Sequence, residues 1–149
     1  WGKMTNFEIA TRVPLIIASD RFPPARTQTI AELVDLYPTL CDLAEIPHPD
    51  HIEGESLAGV LRDPTSEENS FALSQYSRFQ NRNMGRALRT DRYRFVAWFD
   101  QENGQVVSRE LYDHRSDSDE TKNVASEASS VEIVKQLETQ LRRAFQLDR

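Results

Sequence analysis

Lys3 stands between Trp1 and a short polar run, ahead of an apolar stretch that reads as a strand. Loops at strand ends are where binding and catalytic residues gather. A lysine in such a place can hold an anion as a compact point charge, although a solvated lysine fits the same residues. The histidines are His48, His51 and His114. His48-Pro49-Asp50-His51 has metal-like residue types, but its loop offers no further ligand nearby, and no metal-ligand set is expected in this chain. Cys41 is the only cysteine, so no internal disulfide can form; between Leu40 and Leu43 it reads as a small buried hydrophobe, not a nucleophile. Arg78, Arg82, Arg86, Arg89, Arg92 and Arg94 alternate with Tyr76, Phe79, Tyr93 and Phe95. This is either a solvated face of half-buried strands or a basic rim for an anionic substrate, since the guanidinium fork can bond two oxygens. Gln75 and Arg78 are the candidate rim residues.

The elements that must position these groups follow from pattern. Arg12 to Ala18, with Val13, Leu15, Ile16 and Ile17, predicts a buried strand, Pro14 marking an edge or entry position. Pro23-Pro24 stiffens the loop that follows. Apolar residues three and four apart from Leu33 to Ala44 predict a helix that begins between Leu33 and Asp35, with Asp35 or Thr29 as its cap. Ile46-Pro47-His48-Pro49 ends it, and Ser56 to Leu61 reads as a short helical turn. Four strands are expected at Ser70 to Tyr76, Gly85 to Thr90, Tyr93 to Phe99 and Val106 to Tyr112. Tight turns at Thr90-Asp91-Arg92 and Glu102-Asn103-Gly104 favour an antiparallel meander. Ser129-x-x-Glu132 fits a capping box for a final helix whose face carries Val131, Val134, Leu137, Leu141, Ala144 and Phe145. Glu138 and Arg142 form a favourable pair four residues apart.

Size and charge bound the answer. The 149 residues are one domain's worth of chain. A domain of that length buries about 68–70% of its unfolded surface. An apolar fraction of 38% suggests a thin core, or an inner face meant to rest on another domain. The net charge of -6 argues against nucleic acid as the main partner. No run approaches the roughly 18 apolar residues of a membrane helix.

Four ordered stretches resemble the sulfatase family. They are Trp1-Gly2-Lys3 through Thr11-Arg12-Val13-Pro14-Leu15-Ile16; Leu33-Val34-Asp35-Leu36-Tyr37-Pro38-Thr39-Leu40 with Leu43-Ala44 and Gly54-Glu55-Ser56-Leu57; Ala87 through Phe95; and Glu110-Leu111-Tyr112-Asp113 with Asp117, Glu120 and Asn123. Within that family, Asn6-Phe7-Glu8 and Ser74-Gln75-Tyr76 look most like the iduronate-2-sulfatase branch. The resemblance implies an alkaline-phosphatase-like α/β fold, seen here as its α+β C-terminal subdomain: a four-stranded antiparallel sheet packed by a C-terminal helix. Residues 1–62 would end the catalytic domain and 63–149 would form the subdomain. The chain starts without Met, as if within a motif, and is expected to be the C-terminal part of a sulfuric ester hydrolase acting on a sulfated saccharide.

In that reading Lys3 is the catalytic and substrate-binding residue on a sulfate oxygen. The Ca2+ ligands and the formylglycine nucleophile lie outside this chain, since Cys41-Asp42-Leu43-Ala44-Glu45 does not match the formylglycine motif. The partner is a missing N-terminal catalytic domain, and the piece alone is expected to be inactive. No asparagine has Ser or Thr two places on, which tilts the expected location to periplasmic or secreted in a bacterial source over lysosomal. The alternatives are a phosphodiesterase or phosphonate hydrolase of the same superfamily, and a non-catalytic module binding sulfated glycans or protein.

Overall fold

A computed structural model describes residues 4–66 and 71–147. They group into two compact units, one of Trp1–Pro14 with Leu73–Arg149 and one of Leu15–Ala72.

In the second unit, a 3-10 turn at Leu33–Asp35 leads into helix α2, Leu36–Ala44, and a short helix α3 follows at Ala58–Arg62. The expected helix start is therefore present, and its cap is reciprocal. The Asp35 carboxylate accepts the Glu32 amide at 2.8 Å, while the Glu32 side chain accepts the Asp35 amide. The buried Asp35 also accepts the Glu55 amide at 3.0 Å. Thr39 donates to the Asp35 carbonyl at 2.6 Å and accepts from the Leu57 amide at 2.8 Å. Two short polar side chains thus tie the 54–57 loop to α2 by satisfying buried backbone groups. Gly54 is required here, because a Cβ would stand 2.2 Å from the Val34 carbonyl oxygen. Helix α2 ends where Glu45 turns left-handed. Cys41 is buried, as expected.

The strand expected at 12–18 does not form. Residues 12–18 are irregular, and Ile16 is 87% exposed. An extended apolar segment becomes a strand only when a neighbour accepts its hydrogen bonds, and none of the described residues does so.

The first unit holds helix α1, Glu8–Thr11, and a sheet of strands β1 (Phe71–Arg78), β2 (Asn83–Thr90), β3 (Tyr93–Asp100) and β4 (Val106–Asp113) in the order β1-β2-β3-β4. Helix α4, Val131–Ala144, completes it. All four expected strands and the final helix are present, and the β2-β3 and β3-β4 pairs are antiparallel. Register assigns the faces. Gly85 opposes Trp98, Ala87 opposes Val96, and Arg89 opposes Arg94, which in turn opposes Tyr112. The other face carries Leu88, Phe95, Ala97, Phe99 and Leu111.

Helix α4 packs on β2 and β3, with Leu137 and Leu141 buried. The Arg86 guanidinium lies 5.2 Å from the Phe99 ring centroid and 5.6 Å from that of Phe145. Arg109 holds Glu138 at 2.6 Å, and Glu138 also meets Arg142 at 3.4 Å, the pair expected four residues apart. Burial of Phe95 alone contributes about 1.5–3 kcal/mol. Gly85 lets the Trp98 ring lie flat on the strand; a Cβ there would stand 2.8 Å from it.

Three expectations change. The box at Ser129-x-x-Glu132 is absent: residues 128–130 form a 3-10 turn, and Ser130 stands at the cap without a side-chain bond. That extra turn leaves Val131 57% exposed, off the buried stripe. Strand β3 is buried on both faces from Arg94 to Phe99, not half-buried, because α4 covers one face and the α1 segment occupies part of the other.

Candidate functional site

Three of the six arginines read as a solvated face or a substrate rim, Arg89, Arg92 and Arg94, are engaged by carboxylates. Arg94 is 2% exposed. Its Nε donates to Glu120 Oε1 at 2.5 Å, and its Nη2 donates to Glu8 and, at 3.1 Å, to the Thr11 hydroxyl. Arg89 Nε reaches Glu8 Oε2 at 2.9 Å. Arg92 forms a two-pronged pair with Asp113 at 2.9 and 2.6 Å. Of the six arginines, Arg89, Arg92 and Arg94 are therefore neither a solvated face nor a free rim but members of ion pairs. A guanidinium taken out of water needs such matched acceptors, since an unpaired buried charge is strongly destabilising.

The acidic partners come from two places far away in sequence. Glu8 opens α1, whose formation brings Glu8 and Thr11 to one side of a single turn. Burial pushes the Glu8 carboxyl up, but Arg89 and Arg94 outweigh it and hold its pKa below the ordinary carboxylate range. Glu120 arrives on the loop after β4 in a left-handed conformation, φ 55°. That geometry costs a non-glycine residue about 1–2 kcal/mol. Asp117 supports it by accepting the Thr121 amide at 3.0 Å and the Lys122 amide at 2.8 Å. Asn123 then fastens the loop to the outer margin of β4, accepting the Leu111 amide at 2.9 Å and donating to the Arg109 carbonyl at 3.1 Å. The spaced residues Asp117, Glu120 and Asn123 thereby have three distinct tasks: shaping the loop, delivering a carboxylate and closing the strand edge.

The segment before α1 is held in the same way. Asn6 is buried, donates Nδ2 to the Gly85 carbonyl at 3.0 Å and accepts from Ser74 Oγ at 3.2 Å. The Glu8 amide donates to Glu120 Oε2 at 2.7 Å. Phe7 packs edge-on against Tyr112 with ring centroids 5.6 Å apart. Residues 6–11 are therefore fixed to the sheet by contacts spanning 68 to 112 positions of sequence.

Glu8, His114 and Glu120 bring ligand-type atoms within 4.8 Å of one another, and His114 Nε2 stands 2.8 Å from Glu120 Oε1. They do not fit a resident Ca2+, because the guanidiniums of Arg94 and Arg89 already occupy the carboxylate oxygens. No step is therefore derived through a metal at this place. His48 meets Asp42 at 2.7 Å in an exposed loop, away from any third ligand among the described residues.

Lys3 lies outside the described residues. Gln75 and Arg78 are both exposed on β1, but three positions apart they point to opposite faces. Arg78 lies 4.6 Å above the Trp98 ring, on the face that carries the Asn6 and Glu8 contacts. The structure does not bring Gln75 and Arg78 together. Sequence reasoning missed the Arg94 cluster. Its members stand in the quoted stretches, but nothing local says that Glu8, Arg94 and Glu120 meet.

Residues 1–146 match the family described as N-sulphoglucosamine sulphohydrolase, C-terminal. Arylsulfatase K of Xenopus laevis is 31% identical over 149 residues, covering 94% of this chain and 27% of that protein. A solved 2-O GAG sulfatase superposes with a TM-score of 0.61 at 31% identity, over 75% of this chain and 24% of that one. The fold alone extends to the phosphonate monoester hydrolase of Agrobacterium radiobacter, with a TM-score of 0.57 at 21% identity, over 72% of this chain and 23% of that one. The chain thus spans about a quarter of the length of the relatives it matches. With an ordered set of motifs, an antiparallel sheet packed by a terminal helix, and a match running from end to end, this chain belongs to the sulfatases, as a C-terminal part of the alkaline-phosphatase-like fold.

Proposed function

We propose that the full-length protein is a sulfuric ester hydrolase that removes sulfate from a sulfated saccharide, iduronate-2-sulfatase-like in its preference for a 2-O-sulfated uronate. The observation that carries this reading is the family match over residues 1–146, joined by the likeness to a 2-O GAG sulfatase. In this reading residues 1–62 end the catalytic domain and 63–149 form its C-terminal subdomain. Lys3 contacts a sulfate oxygen as a point charge and offsets the negative charge that develops on the leaving ester. Arg78 is a rim residue on the face of the anchored segment; Gln75 would meet a different part of the substrate from the opposite face.

The nucleophile, a formylglycine, and the Ca2+ ligands belong to the N-terminal catalytic domain, so the 149-residue piece alone has no turnover. That domain would also cover the apolar surface formed by Leu33, in the 3-10 turn before α2, and by Tyr37 and Leu40 on α2, all of which stand exposed. We place the enzyme in the periplasm or outside a bacterial cell; no helix among the described residues is long and apolar enough to cross a membrane.

The test is turnover of the full-length protein on sulfated mono- and disaccharides, with Lys3→Ala beside it. Loss of one charge-stabilising contact is expected to lower kcat/KM about 100-fold or more with the melting temperature unchanged. Unchanged turnover removes Lys3 from the site. A phosphonate or phosphodiester hydrolase is the second reading, favoured by the fold shared with the phosphonate monoester hydrolase. Turnover of a phosphonate monoester above any sulfate ester would establish it. The rival of another class, a glycan- or protein-binding module, predicts saturable binding of a sulfated oligosaccharide without turnover by the full-length protein.

A further inference from the structure

We propose that Arg78 and Phe79 form an anchor for an anionic saccharide: the Arg78 guanidinium, stacked on Trp98, takes a carboxylate or a second sulfate, and the Phe79 ring takes the apolar face of the sugar that carries it. The inference rests on the saccharide substrate proposed above and names what holds it. Three observations carry it.

First, Arg78 is held in place but not neutralised. It is exposed, with its guanidinium 4.6 Å from the Trp98 ring centroid. Arg89, Arg92 and Arg94 all meet carboxylates, whereas Arg78 has no ion pair among the described residues. The carboxylate beside the stack is Glu110, and both of its oxygens are taken: Oε1 by the Trp98 indole N–H at 2.8 Å and Oε2 by the Tyr112 hydroxyl at 3.1 Å. Glu8 and Glu120, further along the same face, are bonded by Arg89, Arg94 and His114. The ring under Arg78 is itself fixed, by Glu110 at its edge and by Gly85 against its face. A guanidinium stacked on such a ring keeps a planar fork of N–H donors that matches carboxylate and sulfate oxygens, and little order is lost when they bind.

Second, the next residue turns an apolar ring to solvent. Phe79 is 72% exposed and opens a turn in which Phe79, Gln80 and Asn81 are left-handed in succession. Strained non-glycine backbone persists only where its surroundings hold it, and it gathers at ligand clamps. Here Ser77 Oγ donates to Asn81 Oδ1 at 2.6 Å, the Arg82 amide to the Phe79 carbonyl at 3.1 Å, and the Gln101 amide to the Arg82 carbonyl at 2.8 Å.

Third, the surroundings of that ring are polar. Gln80, Asn81, Arg82 and Gln101 are all exposed. One ring among amides and guanidiniums matches a sugar, which has a C–H face and a rim of hydroxyls and anionic groups. A protein interface of about 800 Å² on each side needs a wider apolar centre.

The test uses the full-length protein with Arg78→Ala, Arg78→Lys and Phe79→Ala. The substrates are a 2-O-sulfated uronate disaccharide bearing a second sulfate on its other sugar, the analogue with the carboxyl reduced to an alcohol, and the analogue without the second sulfate. Arg78→Ala is expected to raise KM about 10-fold or more on the first, with the loss falling on KM more than on kcat. Arg78→Lys keeps the charge but not the fork and should recover little of it. Phe79→Ala should raise KM about 2- to 10-fold. The Arg78→Ala penalty should vanish on whichever analogue lacks the group that Arg78 binds, which tells carboxylate from sulfate. A penalty equal on all three substrates overturns the inference, as does a wild-type KM in Arg78→Lys. An unchanged KM in Arg78→Ala or in Phe79→Ala also overturns it, and gives the exposed ring to a protein contact. A wild-type protein that turns over none of the three refutes the substrate reading. The Kd of a multiply sulfated uronate tetrasaccharide then decides this inference: about 10-fold weaker binding by Arg78→Ala supports it, and equal binding overturns it.

Discussion

Glu8 links the cluster to pH. Its ordinary pKa is 4.5, and in the fold it lies lower, because Arg89 and Arg94 favour the ionised carboxylate beyond the opposing effect of burial. A depressed carboxylate contributes its full stabilisation above its unfolded pKa. That contribution is lost as pH falls through the lower folded value. Glu8→Gln should therefore lower stability by about 1–3 kcal/mol at pH 7 and progressively less below pH 4.5. Urea midpoints of the full-length protein and the variant at pH 7, 4.5 and 3 check this; a pH-independent difference would show that charge is not what Glu8 supplies. The individual members of this cluster stand in the stretches that resemble the sulfatase family. Their meeting was not legible, because 81 positions separate Glu8 from Arg89 and 112 separate it from Glu120. Alternation along β3 placed Arg94 on one face but could not say what covered that face.

At the scale of elements, the sheet was readable because alternation and turn residues are local. Gly104, at φ 70°, closes the β3-β4 hairpin where Asn103-Gly104 announced it. The β1-β2 connection was not announced. Phe79, Gln80 and Asn81 are left-handed in succession, at φ 54°, 55° and 69°. None is glycine, so the turn carries strain on the order of 1 kcal/mol at each residue. It is partly offset by the bond from Ser77 Oγ to Asn81 Oδ1 at 2.6 Å. Gln80→Gly is expected to raise stability by about 0.5–1 kcal/mol, read as a higher urea midpoint with unchanged slope. A lower midpoint would mean that the Gln80 side chain contributes more than its backbone costs. The lost strand at 12–18 teaches the converse lesson. Apolar residues state that a segment is to be buried, but only a partner strand makes it a strand. The capping box failed for a different reason: the motif was present, and the chain used its residues for a 3-10 turn instead.

The whole molecule shows two kinds of surface. The sheet unit has a core closed by α4, with Leu88, Phe95, Ala97 and Leu111 essentially free of solvent. Leu33, in the 3-10 turn that leads into α2, and Tyr37 and Leu40 on α2 stand exposed, Leu40 at 61%. The low apolar fraction suggested a thin core or an inner face meant for another domain, and this exposed stripe is the candidate for such a face. Leu40→Glu in the full-length protein is therefore expected to cost about 2 kcal/mol or more, the penalty of a charge forced into an apolar contact. Denaturation of the full-length variant tests it; an unaltered midpoint would leave the stripe without an occupant.

Asn123 has a consequence beyond the cluster it helps to build. Its amide group, with the Val124 N–H that meets the Leu111 carbonyl at 2.9 Å, uses up polar groups along the unpaired flank of β4. A flank so occupied offers an incoming extended peptide few places to attach, and the meander is guarded against open-ended stacking with its own copies. One asparagine thus serves solubility as well as geometry, without placing a charge on that margin.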